Sequence, residues 1–147
     1  MTRRRGFSLV ELLIVLAILG AVLAVGYASL RPLTQRSRVG EATAAVAASL
    51  QHARSFAQRA NLSARWERTG TASYRLTLGA KAVDARLPAG LTFAAPPVGA
   101  RITYTAPYGE IDAVPHRITI QGYGFEADVR VVGVTGKVIR ANVRRAP

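Results

Sequence analysis

The sequence predicts an α+β fold in which one long N-terminal helix packs on an antiparallel β-sheet. Three observations lead to this prediction. Residues 7–30 are almost entirely apolar, residues 31–60 have apolar side chains at helical spacing, and from residue 61 the pattern changes to the alternation of strands. Because all the strands follow a single helix, we expect the sheet to cover the apolar face of that helix.

Residues 7–30 predict a transmembrane helix. As a helix this stretch would be about 36 Å long, and the hydrocarbon core of a bilayer is about 30 Å thick. The markedly polar side chains of this stretch are Ser8, Glu11 and Ser29, and Glu11 is the charged one among them. A carboxylate at mid-bilayer is unfavourable by about 2.5–3.5 kcal/mol, so it normally has a partner or lies near an end of the span.

Two explanations of Glu11 are open at this point. It could lie close enough to the membrane interface to reach water. Alternatively, if the chain were cut between Gly6 and Phe7, the new α-amine would lie four residues before Glu11, on the same face of the helix. That amine, or the amine of a neighbouring copy, would neutralise the carboxylate in lipid.

A secretory signal peptide is a competing interpretation of the N-terminus. Such a peptide has an apolar region of about 7–15 residues followed by a small-residue cleavage site. Val22-Leu23-Ala24 fits such a site loosely. The acidic residue Glu11 near the start of the apolar region, and the apolar residues that continue beyond Ala24, argue against it.

The stretch Gly6-Phe7-Ser8-Leu9-Val10-Glu11 resembles the class III signal of type IV pilins and type II secretion pseudopilins. The resemblance implies that a prepilin peptidase removes the basic leader, residues 1–6, by cleaving after Gly6, and that it methylates Phe7. It also implies that Glu11 guides assembly with other pilin or pseudopilin subunits through helix packing. The match is specific, and it covers about the first fifth of the chain.

Charge predicts the topology. Arg3, Arg4 and Arg5 precede the apolar stretch, which places the N-terminus in the cytoplasm by the positive-inside rule. Residues 31–147 then lie on the periplasmic side of the inner membrane. From there we expect the processed chain to enter a pilus or pseudopilus.

Residues 31–60 predict an amphipathic second half of the same helix. Pro32 has no backbone N–H, so we expect it to kink the helix or to separate two segments. Beyond it, apolar residues recur at gaps of three or four and form one narrow stripe. The predicted stripe consists of Val39, Ala42, Val46, Leu50, Ala53, Phe56 and Ala60.

Residues 61–147 predict an antiparallel, β-rich periplasmic domain. Its alternating segments are bounded by turn residues such as Thr69-Gly70 and Pro88-Ala89-Gly90. The best-defined hairpin is the last one, which turns at residues 133–136. The predicted strands are 62–68, 72–78, 81–87, 91–94, 101–105, 117–121, 127–132 and 137–143.

The last part of the chain carries a second, looser resemblance. A Tyr-x-Ala-Pro-x-Gly loop begins at Tyr104, an Arg-Ile-Thr-Ile strand begins at Arg117, and Thr-Gly-Lys-Val begins at Thr135. Together these segments are similar to the GspH/FimT group of minor pseudopilins. The resemblance implies a structural subunit of a type IV pilus or of the type II secretion system.

The charge of the chain points to polyanionic partners. The formal net charge is +12, and residues 31–147 contain 17 basic and 7 acidic side chains. Such a surface attracts nucleic acid, anionic lipid or cell-wall polymer, or acidic proteins, while an ordinary soluble basic surface is the alternative. The candidates for contact with a phosphate backbone are Arg130, Lys137, Arg140, Arg144 and Arg145.

The second resemblance makes DNA an alternative partner. Some FimT-like minor pilins bind DNA through a basic C-terminal region during natural transformation. Tyr104, Tyr108 and Tyr123 are candidates for stacking on bases, with ordinary packing as the other interpretation.

The sequence predicts neither enzymatic activity nor a cofactor. It contains no cysteine, and its two histidines, His52 and His116, are expected at the surface rather than as catalytic bases. Glu110 and Asp112 form a loop pair, and no further carboxylate or histidine nearby in sequence completes a metal site. A Ca²⁺ ion bound by this loop stays an open alternative.

Overall fold

A single helix runs through both compact units of the chain. The computed structural model describes residues 9–111 and 116–147, and the first unit ends at Thr34 while the second spans Gln35–Pro147. Helix α1 (Leu9–Ala60) continues through Pro32. It ends where Asn61 adopts a φ of 53°, a left-handed conformation that often terminates helices. The prediction of one long helix is confirmed.

The first half of α1 exposes apolar side chains in every direction. Residues 12–16 are five consecutive apolar residues, all more than half exposed, and five consecutive positions surround a helix completely. Thr34 at the end of this unit donates a hydrogen bond to the carbonyl oxygen of Arg31 at 2.8 Å. The large exposed residues are Leu9, Val10, Leu12, Leu13, Ile14, Val15, Leu16, Ile18, Leu19, Val22, Leu23, Tyr27, Leu30 and Leu33.

The second half of α1 buries one stripe, as predicted. Phe56 packs against the core from a partly exposed position. Ala60 is exposed, contrary to the prediction, because it is the last helical residue, and Ala57 is buried in its place. The buried apolar residues of this half are Val39, Ala42, Val46, Ala47, Leu50, Ala53 and Ala57.

The strands are antiparallel, as predicted, and they are divided between two sheets. The first sheet has the order β3-β2-β1-β5, and the second has the order β4-β6-β7-β8, with β9 also paired to β7. Periodicity identifies strands but not their partners, so the division could not be seen in the sequence. The strands are β1 (Ala64–Arg68), β2 (Ser73–Leu78), β3 (Lys81–Arg86), β4 (Thr92–Ala95), β5 (Arg101–Tyr104), β6 (His116–Gly122), β7 (Phe125–Val132), β8 (Lys137–Arg140) and β9 (Arg144–Arg145).

Both sheets and the second half of α1 share one hydrophobic core. Trp66 of β1 is fully buried, stacks on Tyr74 at a ring distance of 5.6 Å, and meets Phe93 of β4 edge-on at 5.9 Å. The guanidinium of Arg68 lies 5.5 Å from the centre of the Phe93 ring and donates a hydrogen bond to the carbonyl oxygen of Pro96. These contacts join the first sheet to the second.

The strand predicted at 137–143 is interrupted. β8 ends with Arg140 opposite Val129 of β7, and β9 resumes with Arg144 opposite Glu126. Three residues, 141–143, therefore face the two residues 127 and 128 of β7. This one-residue bulge reverses the face on which the following side chains lie.

Candidate functional site

The N-terminal motif lies partly outside the described residues. Gly6 and Phe7 precede Leu9, so the structure does not place the predicted cleavage and methylation site. Glu11 lies in the first turn of α1, and its side chain is exposed among apolar neighbours. Its role in assembly stays a prediction.

Residues 9–111 and 116–147 contain no helix that meets the combined length and apolarity expected of a membrane-crossing segment. The membrane span predicted for residues 7–30 stays a prediction.

Three of the five predicted phosphate-binding residues lie on the outer face of the second sheet. Directly paired residues of an antiparallel sheet point to the same face, and so do alternate residues of one strand. Arg130 therefore shares a face with Glu126 and Val132, which pair with Arg144 and Lys137. The three basic side chains are exposed.

The other two predicted residues lie on the opposite face, toward the core. Arg140 pairs with the buried Val129, and Arg145 pairs with Phe125, which packs against the core. The single basic surface expected from the sequence is therefore split in two. Arg140 borders an open groove of about 340 Å³ between β8 and α1, which is lined by Ala44, Ala47, Ala48, Gln51, Val138 and Arg140.

Arg144 is ion-paired to two carboxylates of β7. Its Nη2 atom lies 2.7 Å from Glu126 Oε1 and 3.3 Å from Asp128 Oδ2. Asp128 is fully buried, and it accepts hydrogen bonds at 2.7 Å from Arg117 Nη2 and at 2.7 Å from the hydroxyl of Thr119. Much of the positive charge of Arg144 is therefore neutralised by carboxylates of the protein itself.

The buried carboxylate of Asp128 stays ionised because of these partners. Burial alone would raise its pKa, but the hydrogen bonds from Arg117 and Thr119 and the positive charges of Arg117 and Arg144 outweigh burial. The pKa of Asp128 is consequently held below its usual value. The same pairing raises the pKa of Arg117.

Reasoning from the sequence missed this network. Alternation along the strand predicted at 127–132 places Asp128 on the solvent side together with Arg130, and Arg117 lies on another strand. The signal was present in the register of the β6–β7 hairpin, because Thr119 pairs directly with Asp128 across the short turn at residues 123 and 124. Arg144 could not be found in this way because its position depends on the bulge.

The three tyrosines proposed for base stacking have different environments. Tyr104 is fully buried, so the stacking proposed for it is wrong. Burial raises its pKa to about 12, although the charge of Arg54 acts in the opposite direction. Tyr123 donates a hydrogen bond to the carbonyl oxygen of Ala89 at 2.7 Å, while Tyr108 is 71% exposed.

The residues considered for catalysis or metal binding do not converge in the described structure. His52 is exposed on α1, and His116 begins β6. Asp112, the partner of Glu110 in the proposed Ca²⁺ loop, lies outside the described residues. Among the residues that the structure does describe, no three histidines or carboxylates lie close enough together to bind a metal ion.

The N-terminal sequence and the fold each resemble those of known proteins. Residues 1–27 match the prokaryotic N-terminal methylation motif. This motif is followed here by a long helix whose second half packs on antiparallel sheets. The chain therefore combines this motif with a pilin-like α+β fold.

Two solved structures share this fold, and both are crystal structures of the type IV minor pilin FimU of Pseudomonas aeruginosa strain PAO1. The first has a TM-score of 0.57 at 16% sequence identity, and the match covers 76% of this chain and 90% of the chain in that crystal structure. The second has a TM-score of 0.54 at 16% identity, covering 69% and 91%. At this identity the likeness extends to the fold alone. No curated protein matches the sequence.

Proposed function

We propose that this chain is a minor pilin or pseudopilin that prepilin peptidase processes and that then joins a type IV pilus or a type II secretion pseudopilus. One observation carries the proposal. The first half of α1 exposes apolar side chains in all directions around Glu11, while the second half is covered by its own sheets. A helix that is apolar all round needs lipid or other helices around it.

The mechanism is physical and not catalytic. Residues 7–30 hold the subunit in the inner membrane, with residues 31–147 in the periplasm. On assembly, the carboxylate of Glu11 pairs with the α-amine of Phe7 on a neighbouring subunit, so that neither charge remains alone in an apolar environment. Contacts between packed helices then replace contacts with lipid.

The test is the fate of the N-terminus and of Glu11 in a cell with the assembly machinery. The mature chain is expected to begin at Phe7, and Gly6→Ala to retain residues 1–6. Glu11→Gln is expected to give a stable, processed subunit that is strongly depleted from sheared filaments. Glu41→Gln, at an exposed position in the second half of α1, is the matched control and should assemble normally. Normal assembly of the Glu11 variant would contradict the proposal.

DNA capture during natural transformation is the second candidate function. It is favoured by Arg130 and Lys137, which are exposed on the same outer face. In a gel-shift titration of the full chain, binding should fall steeply with salt, and the Arg130→Gln, Lys137→Gln double variant should weaken it. Arg144→Gln should have a smaller effect because Arg144 is already paired with Glu126. Absence of binding at low salt would remove this candidate.

A further inference from the structure

Three exposed arginines lie at one end of the second unit, where α1 enters it. We propose that Arg36, Arg38 and Arg145, here called the arginine collar, bind the phosphate groups of anionic phospholipids at the periplasmic surface of the inner membrane. The inference rests on the proposed function, because it requires the apolar half of α1 to be in the membrane. It adds a lipid partner and a surface to that function.

The C-terminal segment lies directly on this part of α1. Arg36 Nη2 donates a hydrogen bond to the carbonyl oxygen of Val143 at 3.3 Å. A Cβ atom placed on Gly40, one turn further along the helix, would lie 3.5 Å from a methyl group of Val143. The backbone two residues before Arg145 therefore crosses α1 between positions 36 and 40.

The bulge and β9 fix the side of the sheet on which Arg145 is displayed. The N–H of Ala146 donates to the carbonyl oxygen of Gly124 at 2.9 Å, and Arg144 is ion-paired to Glu126. Arg145 pairs with Phe125 on the face toward the core, the same face on which Val143 meets α1. Arg144 thus acts as a positioning residue, and Arg145 is the charge left exposed.

The acidic side chains near the collar are already engaged. Glu41 accepts a hydrogen bond from the hydroxyl of Ser37 at 3.0 Å, and Glu126 is paired with Arg144. Within the described part of the chain, none of the three collar arginines has a carboxylate within 4.0 Å. Their charges therefore remain available to an external anion.

The position along α1 selects lipid from among the possible anions. Arg36 follows the exposed apolar Leu33 by three residues, about 4.5 Å of helix. The polar layer on each side of a bilayer is about 5–8 Å thick, so an arginine at this position reaches the phosphates. Guanidinium groups bind phosphate oxygens in a bidentate manner, and each basic residue near an anionic membrane contributes about 1 kcal/mol, a factor of about five.

The experiment uses the full-length chain reconstituted into phosphatidylcholine vesicles that contain a trace of spin-labelled phosphatidylglycerol or phosphatidylcholine. Flotation of the vesicles first establishes that the chain is inserted. Electron paramagnetic resonance then gives the ratio of the association constants of the two lipids. We expect a several-fold preference for phosphatidylglycerol at low salt, which Arg36→Gln, Arg38→Gln and Arg145→Gln together reduce toward one.

The matched control removes the same number of charges from exposed positions of the first sheet, by Arg65→Gln, Lys81→Gln and Arg86→Gln. It should retain the preference of the unaltered chain. An equal loss in the control, or no preference in the unaltered chain, overturns the inference. It is also overturned if the collar variant loses binding of added duplex DNA but keeps its lipid preference. A chain that fails to float with the vesicles refutes the proposed function itself, and the inference with it.

Discussion

The two halves of α1 have the same backbone conformation and opposite environments. Leu16 in the first half is 55% exposed, whereas Leu50 in the second half is fully buried. The first half is apolar on every side and has no sheet over it within the first unit, while the second half needs only one stripe because two sheets cover it. Both halves are therefore equally helical. They differ in what surrounds the helix, and this difference separates the folded domain from the surface proposed for assembly.

The largest expected effect comes from shortening one leucine in each half. Leu50→Ala should lower the free energy of unfolding of the second unit by about 2–5 kcal/mol, because it leaves a cavity in a close-packed core. Leu16→Ala should leave it unchanged. Trp66, the only tryptophan and fully buried, reports unfolding by fluorescence during urea titration. Equal effects of the two changes would break the comparison between the halves.

Enlarging a small residue gives the next effect. Ala53 is a fully buried residue of α1 that packs in the core. Ala53→Leu should therefore destabilise the second unit by about 1–3 kcal/mol through overpacking. Ala21 in the first half is exposed, and Ala21→Leu serves as the control. The same urea titration checks both variants. If Ala53→Leu leaves the free energy of unfolding unchanged, the sheets pack on the buried stripe of α1 more loosely than the structure indicates.

Lowering the pH should destabilise the sheets that cover the second half of α1. It should not change the environment of the first half. The pKa of Asp128 is lower in the folded chain than in the unfolded chain, where the pKa of aspartate is about 3.9. Its carboxylate therefore contributes stability above that pH and loses it as the pH falls through the folded-state pKa. Asp128→Asn should lower stability at neutral pH by about 1–3 kcal/mol and should flatten the acid limb of the stability curve.

Asp84 provides the control for that prediction. The ion pair of Asp84 with Arg75 has the same 2.7 Å length as the pair of Asp128 with Arg117. The side chains of both Asp84 and Arg75 are exposed, however. Asp84→Asn should change stability little, because exposed pairs contribute little in water. Urea titrations of both variants across the acid range decide whether burial of the carboxylate is what matters.

The smallest expected effect compares two threonines. Thr43 is buried and its hydroxyl donates to the carbonyl oxygen of Val39, four residues earlier, at 2.7 Å. Thr34 is exposed and its hydroxyl donates to the carbonyl oxygen of Arg31, three residues earlier, at 2.8 Å. Thr43→Val should change the free energy of unfolding by about 0.5–1.5 kcal/mol, since the lost bond is partly offset by an apolar replacement. Thr34→Val should be neutral in the same urea titration.

The sequence predicted what depends on neighbours along the chain. Helical spacing identified the buried stripe up to Ala53, and alternation identified the strands to within a few residues. The pairing of strands into two sheets depends on contacts between distant segments, for which periodicity carries no information. The same limit explains the misplaced Tyr104, whose burial is decided by the packing of β5 against the rest of the core.

The candidate site was predictable only at its N-terminal end. The motif ending at Glu11 is contiguous, so it could be identified without any fold. The basic residues were assigned to one surface because they are close in sequence. The face on which each side chain lies depends instead on strand register. Residues 141–143 shift that register by one position, and nothing in their composition indicates the shift.

The bulge before β9 decides which residue of the tail faces Glu126. Without it, a continuous ladder from Arg140 would bring Val143 opposite Glu126 and Arg144 opposite Phe125, on the other face from Asp128. Removing one of residues 141–143 would leave two residues opposite two, so that a regular ladder would again bring Arg144 opposite Glu126. The ion pairs of the tail are therefore compatible with the extra residue and its bulge, or with a chain that is shorter by that one residue.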